Sequence, residues 1–339
     1  MSDPRLLELA DVGVTFRAKG GSGKKKLDAL RHLNLDIASQ ELLVVVGESG
    51  SGKTTLGRVI AGLQKPTKGT MRFRGKDLAK ADHEEFLSYR RAVQIVHQDP
   101  YTSLNPALTI EQTLTAGLKR WNKGMTTEGA SLRAVDLLAL VGLSGKNHLQ
   151  KYPHQLSGGQ RQRVAIARAI SINPELIVLD EPVSMIDASL RIDILDMLLE
   201  IKQKLGTTYL FITHDVALAK YFSEKAGHGR MVVLYQGSVM ELGDTETLVA
   251  APANPYMMAL IASTPGSRTE SIAWSTKLAS SQEDEVEGCR FFPRCIYAQE
   301  VCHTTEPPLI SVGPDHLSAC HFSGKLPLRP AQPTATPAS

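Results

Sequence analysis

The chain has 339 residues, 42% of them hydrophobic and 22% charged, with a formal net charge of +3. That length allows about two domains and the composition is that of an ordinary globular protein, while so small a positive balance gives no ground for a nucleic-acid partner. No apolar run approaches the roughly 18 residues that would cross a bilayer, and the first residues, Met1-Ser2-Asp3-Pro4-Arg5, lack the basic-then-apolar pattern of a secretory signal, so the expected location is the cytoplasm.

Taken in chain order, residues 6 to 16 alternate loosely through Leu7, Leu9, Val12, Val14 and Phe16 and are expected to form a strand. Ala18 to Lys26 is rich in glycine and lysine and is read as an exposed loop. Leu42 to Val46 is a short, continuous apolar run. It ends at Gly47-Glu48-Ser49-Gly50-Ser51-Gly52-Lys53-Thr54, after which Lys53 to Gly62 has a helical pattern. Strand, Gly-rich turn and helix are the setting of a phosphate-binding loop, in which glycines let backbone N–H groups approach phosphate oxygens and the following helix adds its positive end. Lys53 is then placed to reach the β- and γ-phosphates, and Thr54 to put its hydroxyl on Mg²⁺.

Val93 to Val96 is a further short strand, followed by Gln98-Asp99-Pro100. Residues from about 108 to 170 hold many helix formers and few β-branched runs, so a mostly helical insert is expected there, its last helix beginning near Ser157 in Leu156-Ser157-Gly158-Gly159-Gln160. Ser157 can cap that helix and the two glycines expose N–H groups at its positive end, a second anion-binding arrangement. Leu176 to Leu179 is too apolar for an exposed edge and runs straight into Asp180 and Glu181. Carboxylates at the C-terminal end of such a strand stand where ligands of α/β proteins bind. Asp180 suits Mg²⁺, and Glu181 suits polarising a water. Ala188 to Leu205 is an amphipathic helix with Leu190, Ile194, Leu198, Ile201 and Leu205 on one face, and Thr208 to Ile212 and Met231 to Tyr235 are strands. This alternation predicts a largely parallel α/β core.

Thr264 to Glu287 is polar and Ser-rich and is read as a linker. The only four cysteines of the chain, Cys289, Cys295, Cys302 and Cys320, follow within residues 288 to 322 in the spacing C-x5-C-x6-C-x17-C. A cytosolic setting disfavours disulfides, and four thiolates make a complete ligand set for an iron–sulfur cluster and equally for zinc. The absence of tight C-x2-C pairs favours the cluster over a zinc ribbon. The tail, 323 to 339, is expected to be disordered.

The ordered set of the phosphate loop, Gln98, the Ser157-Gly158-Gly159-Gln160 peptide, Asp180-Glu181 and His214 resembles the ATP-binding subunits of ABC transporters. The resemblance implies an α/β P-loop NTPase with a RecA-like core, an antiparallel β subdomain and a helical signature subdomain, here spanning 1 to 263 with the helical part at about 108 to 170. It also implies roles. Gly47 to Thr55 and Phe16 would bind ATP, Phe16 by stacking on adenine. Thr54, Gln98 and Asp180 would hold Mg²⁺, Glu181 would act on the attacking water and His214 would reach the γ-phosphate. Ser157, Gly158, Gly159 and Gln160, with Asp187, would close on nucleotide across a head-to-tail dimer.

Further stretches narrow the resemblance. Gln98-Asp99-Pro100-Tyr101-Thr102-Ser103-Leu104-Asn105-Pro106, Lys151-Tyr152-Pro153-His154, Glu241-Leu242-Gly243 and Asn254-Pro255-Tyr256 are similar to oligopeptide and dipeptide permease ATPases. Members carrying the cysteine region look like [4Fe–4S] binders, with zinc the alternative. The resemblance thus implies a peptide importer energised at the cytoplasmic face of the inner or plasma membrane. Its partners would be two transmembrane permeases, a sister ATPase or a second copy of this chain, and, indirectly, an extracytoplasmic binding protein. Nickel or oligosaccharides are alternative cargoes, and a soluble non-transport ABC ATPase is the rival class. Met185-Ile186, before Asp187, departs from the family's more usual Ala-Leu.

Overall fold

A computed structural model describes residues 5–17, 26–263 and 287–326. Two sheets organise it. The smaller is antiparallel, in the order β2-β1-β4-β5, from β1 (Arg5–Arg17), β2 (Lys26–Ala38), β4 (Lys68–Phe73) and β5 (Lys76–Asp77). The larger has eight strands in the order β11-β12-β10-β9-β3-β8-β7-β6. Its parallel centre comprises β9 (Arg230–Tyr235), β3 (Leu42–Val46), β8 (Thr208–Thr213), β7 (Leu176–Asp180) and β6 (Val93–Val96). One edge continues antiparallel through β10 (Ser238–Asp244), β12 (His316–Ser318) and β11 (Ile310–Gly313).

The unbroken apolar character of β3, β7 and β8 follows from burial on both faces. Every residue of these three strands is buried. Side chains alternate across the sheet, so Leu42, Val44 and Val46 enter one core with the helical region. Leu43 and Val45 enter the other, with β1, β2 and the helix after the phosphate loop.

Helix α1 (Lys53–Ile60) follows β3, and α2 (His83–Ala92) precedes β6, started by a capping box between Asp82 and Glu85. The helical insert holds α3 (Pro100–Ser103), α4 (Ile110–Trp121), α5 (Thr127–Leu140), α6 (Gly145–His148) and α7 (Gly158–Ile170). Beyond it lie α8 (Ala188–Leu205), α9 (Val216–Lys225), α10 (Thr245–Ala250) and α11 (Pro255–Ala262). On α8 the face read from sequence is buried at Ile194, Leu198 and Ile201, whereas Leu190 is 41% exposed beside the signature glycines.

The cysteine region is built onto the main sheet rather than hung beside it, because β12 pairs with β10. Beneath that pairing Glu241, 0% exposed, accepts from the N–H groups of Ala253 and Asn254 and sits 2.7 Å from His316 Nε2. Strand β2 and helix α2 were not legible as such: β2 buries only alternate residues at its C-terminal half, and α2 buries only Tyr89. The Gly/Lys loop before Lys26, the linker before Glu287 and the tail from residue 327 lie outside the described residues. No helix among the described residues is long and apolar enough to cross a membrane.

Candidate functional site

The phosphate loop joins β3 to α1 in a conformation that its glycines make accessible. Gly47, Gly50 and Gly52 have φ of 155°, 80° and 105°. A Cβ on Gly47 would lie 2.2 Å from the Leu234 carbonyl oxygen, and one on Gly52 would lie 2.4 Å from that of Ala29. Both contacts are with backbone that cannot yield, so the loop requires glycine for space as well as for torsion. The Gly237 N–H, in the turn after β9, donates to the Ser51 carbonyl and pins the loop from that side.

Lys53 and Thr54 open α1. The Lys53 ammonium donates to the carbonyls of Gly47 and Glu48, at 2.7 and 2.8 Å, and so is held inside the curve of the loop. Burial pushes its pKa down, against the pull of Glu181, Asp180 and Glu48. The Thr54 hydroxyl donates to Asp180 Oδ1 at 3.2 Å. Asp180 ends β7 and is 3% exposed, and its burial raises the carboxyl pKa. A buried acid beside a hydroxyl at the mouth of an anion-binding loop is a donor set suited to Mg²⁺.

Glu181 follows at φ 48°, a left-handed conformation unusual for a side-chain-bearing residue, fixed by its N–H donating to the Ile212 carbonyl at 3.0 Å. Its carboxylate is gripped from two directions. The Gln98 amide donates to Oε2 at 2.9 Å, and His214 Nδ1 lies 3.2 Å from Oε1. Gln98 comes from the end of β6 and His214 from the end of β8, the two outer neighbours across the β7 terminus. The fold therefore gathers Lys53, Thr54, Gln98, Asp180, Glu181 and His214 at the C-terminal ends of the parallel strands, where the topology of an α/β sheet puts its ligand.

The signature residues form a helix start, as read. Ser157 caps α7 in a reciprocal box with Gln160, leaving Gly158 and Gly159 near the Tyr101 hydroxyl and Leu190, respectively. Arg161 lies over the Tyr101 ring at 4.0 Å. Asp187 is the N-cap residue of α8, without a capping hydrogen bond from its side chain. Before it, Ile186 is 5% exposed and Met185 is 60% exposed, so of the two unusual residues one fills the core and the other projects to solvent. Phe16, 41% exposed, pairs with Leu27 near the end of β1.

Glu48 is placed differently from its neighbours. Its carboxylate is bound by both terminal nitrogens of Arg294, at 2.6 Å each, and its N–H donates to the Tyr256 hydroxyl at 2.8 Å. Sequence reading gave neither Arg294 nor Tyr256 a role. The available signal was Glu48 itself, a negative charge inside an anion-binding loop that calls for a counter-charge.

Among the described residues no group of three or more His, Cys, Asp or Glu side chains draws close enough to hold a metal ion, so the expected ligand set is not met as a converged site. Cys289, Cys295, Cys302 and Cys320 instead line one cavity of about 20 Å³, walled also by Phe291, Phe292, Tyr297 and Phe322. Burial pushes the thiols of Cys289 and Cys295 up to about 11 and about 12 and raises that of Cys320.

Residues 30–184 match the ABC transporter family, and residues 240–302 match the oligopeptide/dipeptide transporter C-terminal region. A putative peptide import ATP-binding protein of Brucella ovis is 38% identical over 94% of this chain and 98% of its own length. The oligopeptide transport ATP-binding protein AppF of Bacillus subtilis is 35% identical over 94% and 97%. Among solved structures, the dimeric post-hydrolysis ATP-binding cassette MJ0796, bound to ADP and Pi, superposes with a TM-score of 0.62 at 31% identity, covering 70% of this chain and 98% of that one.

Proposed function

This chain belongs to the ATP-binding subunits of ABC transporters of the oligopeptide/dipeptide type, and from that premise we propose that it hydrolyses ATP to drive peptide uptake through partner permeases. The observation that carries the chemistry is the Glu181 carboxylate, held between Gln98 and His214 one residue beyond Asp180. Lys53 and the loop N–H groups bind the triphosphate. Thr54, Asp180 and Gln98 would hold Mg²⁺, which would offset phosphate charge when bound. Glu181 orients and polarises the attacking water, and the hydrogen bond from Gln98 with His214 close by keeps one carboxylate geometry ready for that task.

The signature glycines, the Ser157 cap and Asp187 suit a second protomer's nucleotide in a head-to-tail pair. Phe16 is assigned to adenine stacking. A sister ATPase is favoured as the second protomer, and two membrane permeases complete the assembly at the cytoplasmic face, with a binding protein delivering peptide from outside. Specificity for peptide lies in those partners.

For the cysteine region we favour a [4Fe–4S] cluster. Four thiolates are a complete ligand set for such a cluster, and the spacing C-x5-C-x6-C-x17-C lacks the tight C-x2-C pairs of a zinc ribbon. All four would serve as ligands, in a role that is structural or docks a partner rather than hydrolytic, and the pairing of β12 with β10 supports the structural one.

The test is recovery of the tagged full chain from gently solubilised native membranes together with assay of peptide uptake. Two multi-span permeases in the complex, and uptake lost on deleting the gene and restored by it, support the reading. Recovery only with ribosomal or DNA-repair proteins, with uptake intact, overturns it.

A further inference from the structure

We propose that Arg294, in the cysteine region, is a positioning residue for the phosphate loop: it cancels the Glu48 charge and fixes that residue, so that nucleotide affinity depends on the cysteine region being in place. The inference rests on the assignment of the loop to MgATP under Proposed function and goes beyond it.

Glu48 is the second residue of the loop, yet its side chain is committed 246 residues away in sequence. The contact is a parallel two-point pair, Nη1 to Oε2 and Nη2 to Oε1, both 2.6 Å, the arrangement that gives arginine–carboxylate pairs their strength and direction. Arg294 is itself braced. Nη1 also donates to the Tyr235 hydroxyl at 3.2 Å, and the guanidinium lies 5.5 Å from the Tyr235 ring centre and 5.6 Å from that of Phe291. Those rings and Tyr256 form one cluster, with centroids 4.6 to 5.5 Å apart. Tyr256 in turn takes the Glu48 N–H, and Lys53 takes the Glu48 carbonyl. Each polar group of Glu48 therefore has a fixed partner, two of them supplied by α11 and the cysteine region.

The electrostatic consequence is specific. An unpaired carboxylate in this loop would repel a triphosphate, whereas the paired one leaves the field of the loop N–H groups and Lys53 intact. Cys295 directly follows Arg294, and Phe291 and Phe292 line the four-cysteine cavity. Displacement of that turn would be felt at Glu48 before anywhere else in the nucleotide site.

A charge cycle on the full chain tests the proposal, with MgADP affinity read by calorimetry for the parent, Arg294→Ala, Glu48→Gln and the double variant. Arg294→Ala should weaken MgADP about tenfold, the effect of one uncompensated like charge near the ligand. Adding Glu48→Gln should recover most of that loss, because the repelling charge is gone. A merely structural arginine would give no such rescue. Should Arg294→Ala not yield folded protein, Arg294→Lys carries the same comparison, with a smaller loss because lysine keeps the positive charge and gives up only the planar two-point fork. Affinity unchanged within about twofold on removing the arginine, or a double variant no better than the single, overturns the proposal. A parent chain that binds no MgADP overturns instead the nucleotide assignment on which it rests.

Discussion

The side-chain amide of Gln98 donates to Glu181 Oε2 at 2.9 Å across 83 residues of sequence, which ties the segment after β6 to the carboxylate beyond β7. Any movement of the Gln98 segment therefore pulls on the group assigned to the attacking water. Residues 99 to 104, beginning with the Asp99 cap of α3 and including the 61% exposed Tyr101, lie directly downstream. A push delivered there by a membrane partner has a short mechanical route to catalysis.

Glu181→Gln should keep MgATP binding and lower turnover by about 10² or more, the loss expected when a general base becomes an amide. It should also accumulate an ATP-bound dimer on size exclusion, since closure would no longer be followed by hydrolysis. Steady-state phosphate release close to that of the parent would remove Glu181 from its assigned role.

Lys53→Ala acts at an earlier step. The ammonium is held by Gly47 and Glu48 within the loop, so its loss takes away an internal brace of the loop as well as the group assigned to the phosphates. Nucleotide affinity itself should fall at least tenfold, the scale of a lost charge-assisted contact. Calorimetry against MgADP, under conditions without turnover, separates this from the hydrolytic defect of Glu181→Gln.

The cysteine region gives a compositional prediction. Protein purified without oxygen should be brown, with about four iron and four sulfide per chain, as a four-thiolate cluster site requires. Cys302→Ser should lower both together, because one of four ligands is lost. Colourless protein with one zinc per chain would decide for the other metal.

Most of the candidate site was legible because its residues are consecutive or stand at strand ends, and an apolar run ending in Gly47 or Asp180 announces its own geometry. The anchoring of that site was not legible. Strand β2 exposes three of its first four residues and so shows no clear period. Helix α2 depends on a capping box rather than on an apolar face. Glu241 looks like an ordinary surface acid in sequence, and only the β10–β12 pairing makes it a buried one. The pairing of Arg294 with Glu48 joins two ends of the chain, and nothing local to either residue names the other. The four cysteines were conspicuous by spacing, but spacing carries no information on how tightly their thiols gather.

Met185 gives a prediction for the dimer. It projects to solvent at 60% exposure two residues before Asp187, whereas Ile186 is packed inside. An exposed unbranched apolar side chain at this place suits burial against a second protomer. Met185→Asp should weaken ATP-dependent pairing, seen as a lower dimer fraction in the Glu181→Gln background, while leaving nucleotide binding by the monomer near normal. An unchanged dimer fraction would place the residue outside the contact.

Glu241 carries the last prediction, on the seam between the main sheet and the cysteine region. It is fully buried, accepts from two backbone N–H groups and faces His316, and burial raises its carboxyl pKa. Glu241→Ala would leave the Ala253 and Asn254 donors without their acceptor inside the protein, at a cost of about 2–3 kcal/mol. Glu241→Gln retains an acceptor oxygen for one of them and should cost less. Because Asn254 also donates to the Met240 and Ala319 carbonyls, the damage should spread to the strand end that carries Cys320. Thermal unfolding of the two variants should show the alanine as the more destabilised. Limited proteolysis should cut the alanine variant within residues 287–326 before it cuts the nucleotide-binding core. Equal melting temperatures for both variants and the parent would mean that this acid does not hold the seam.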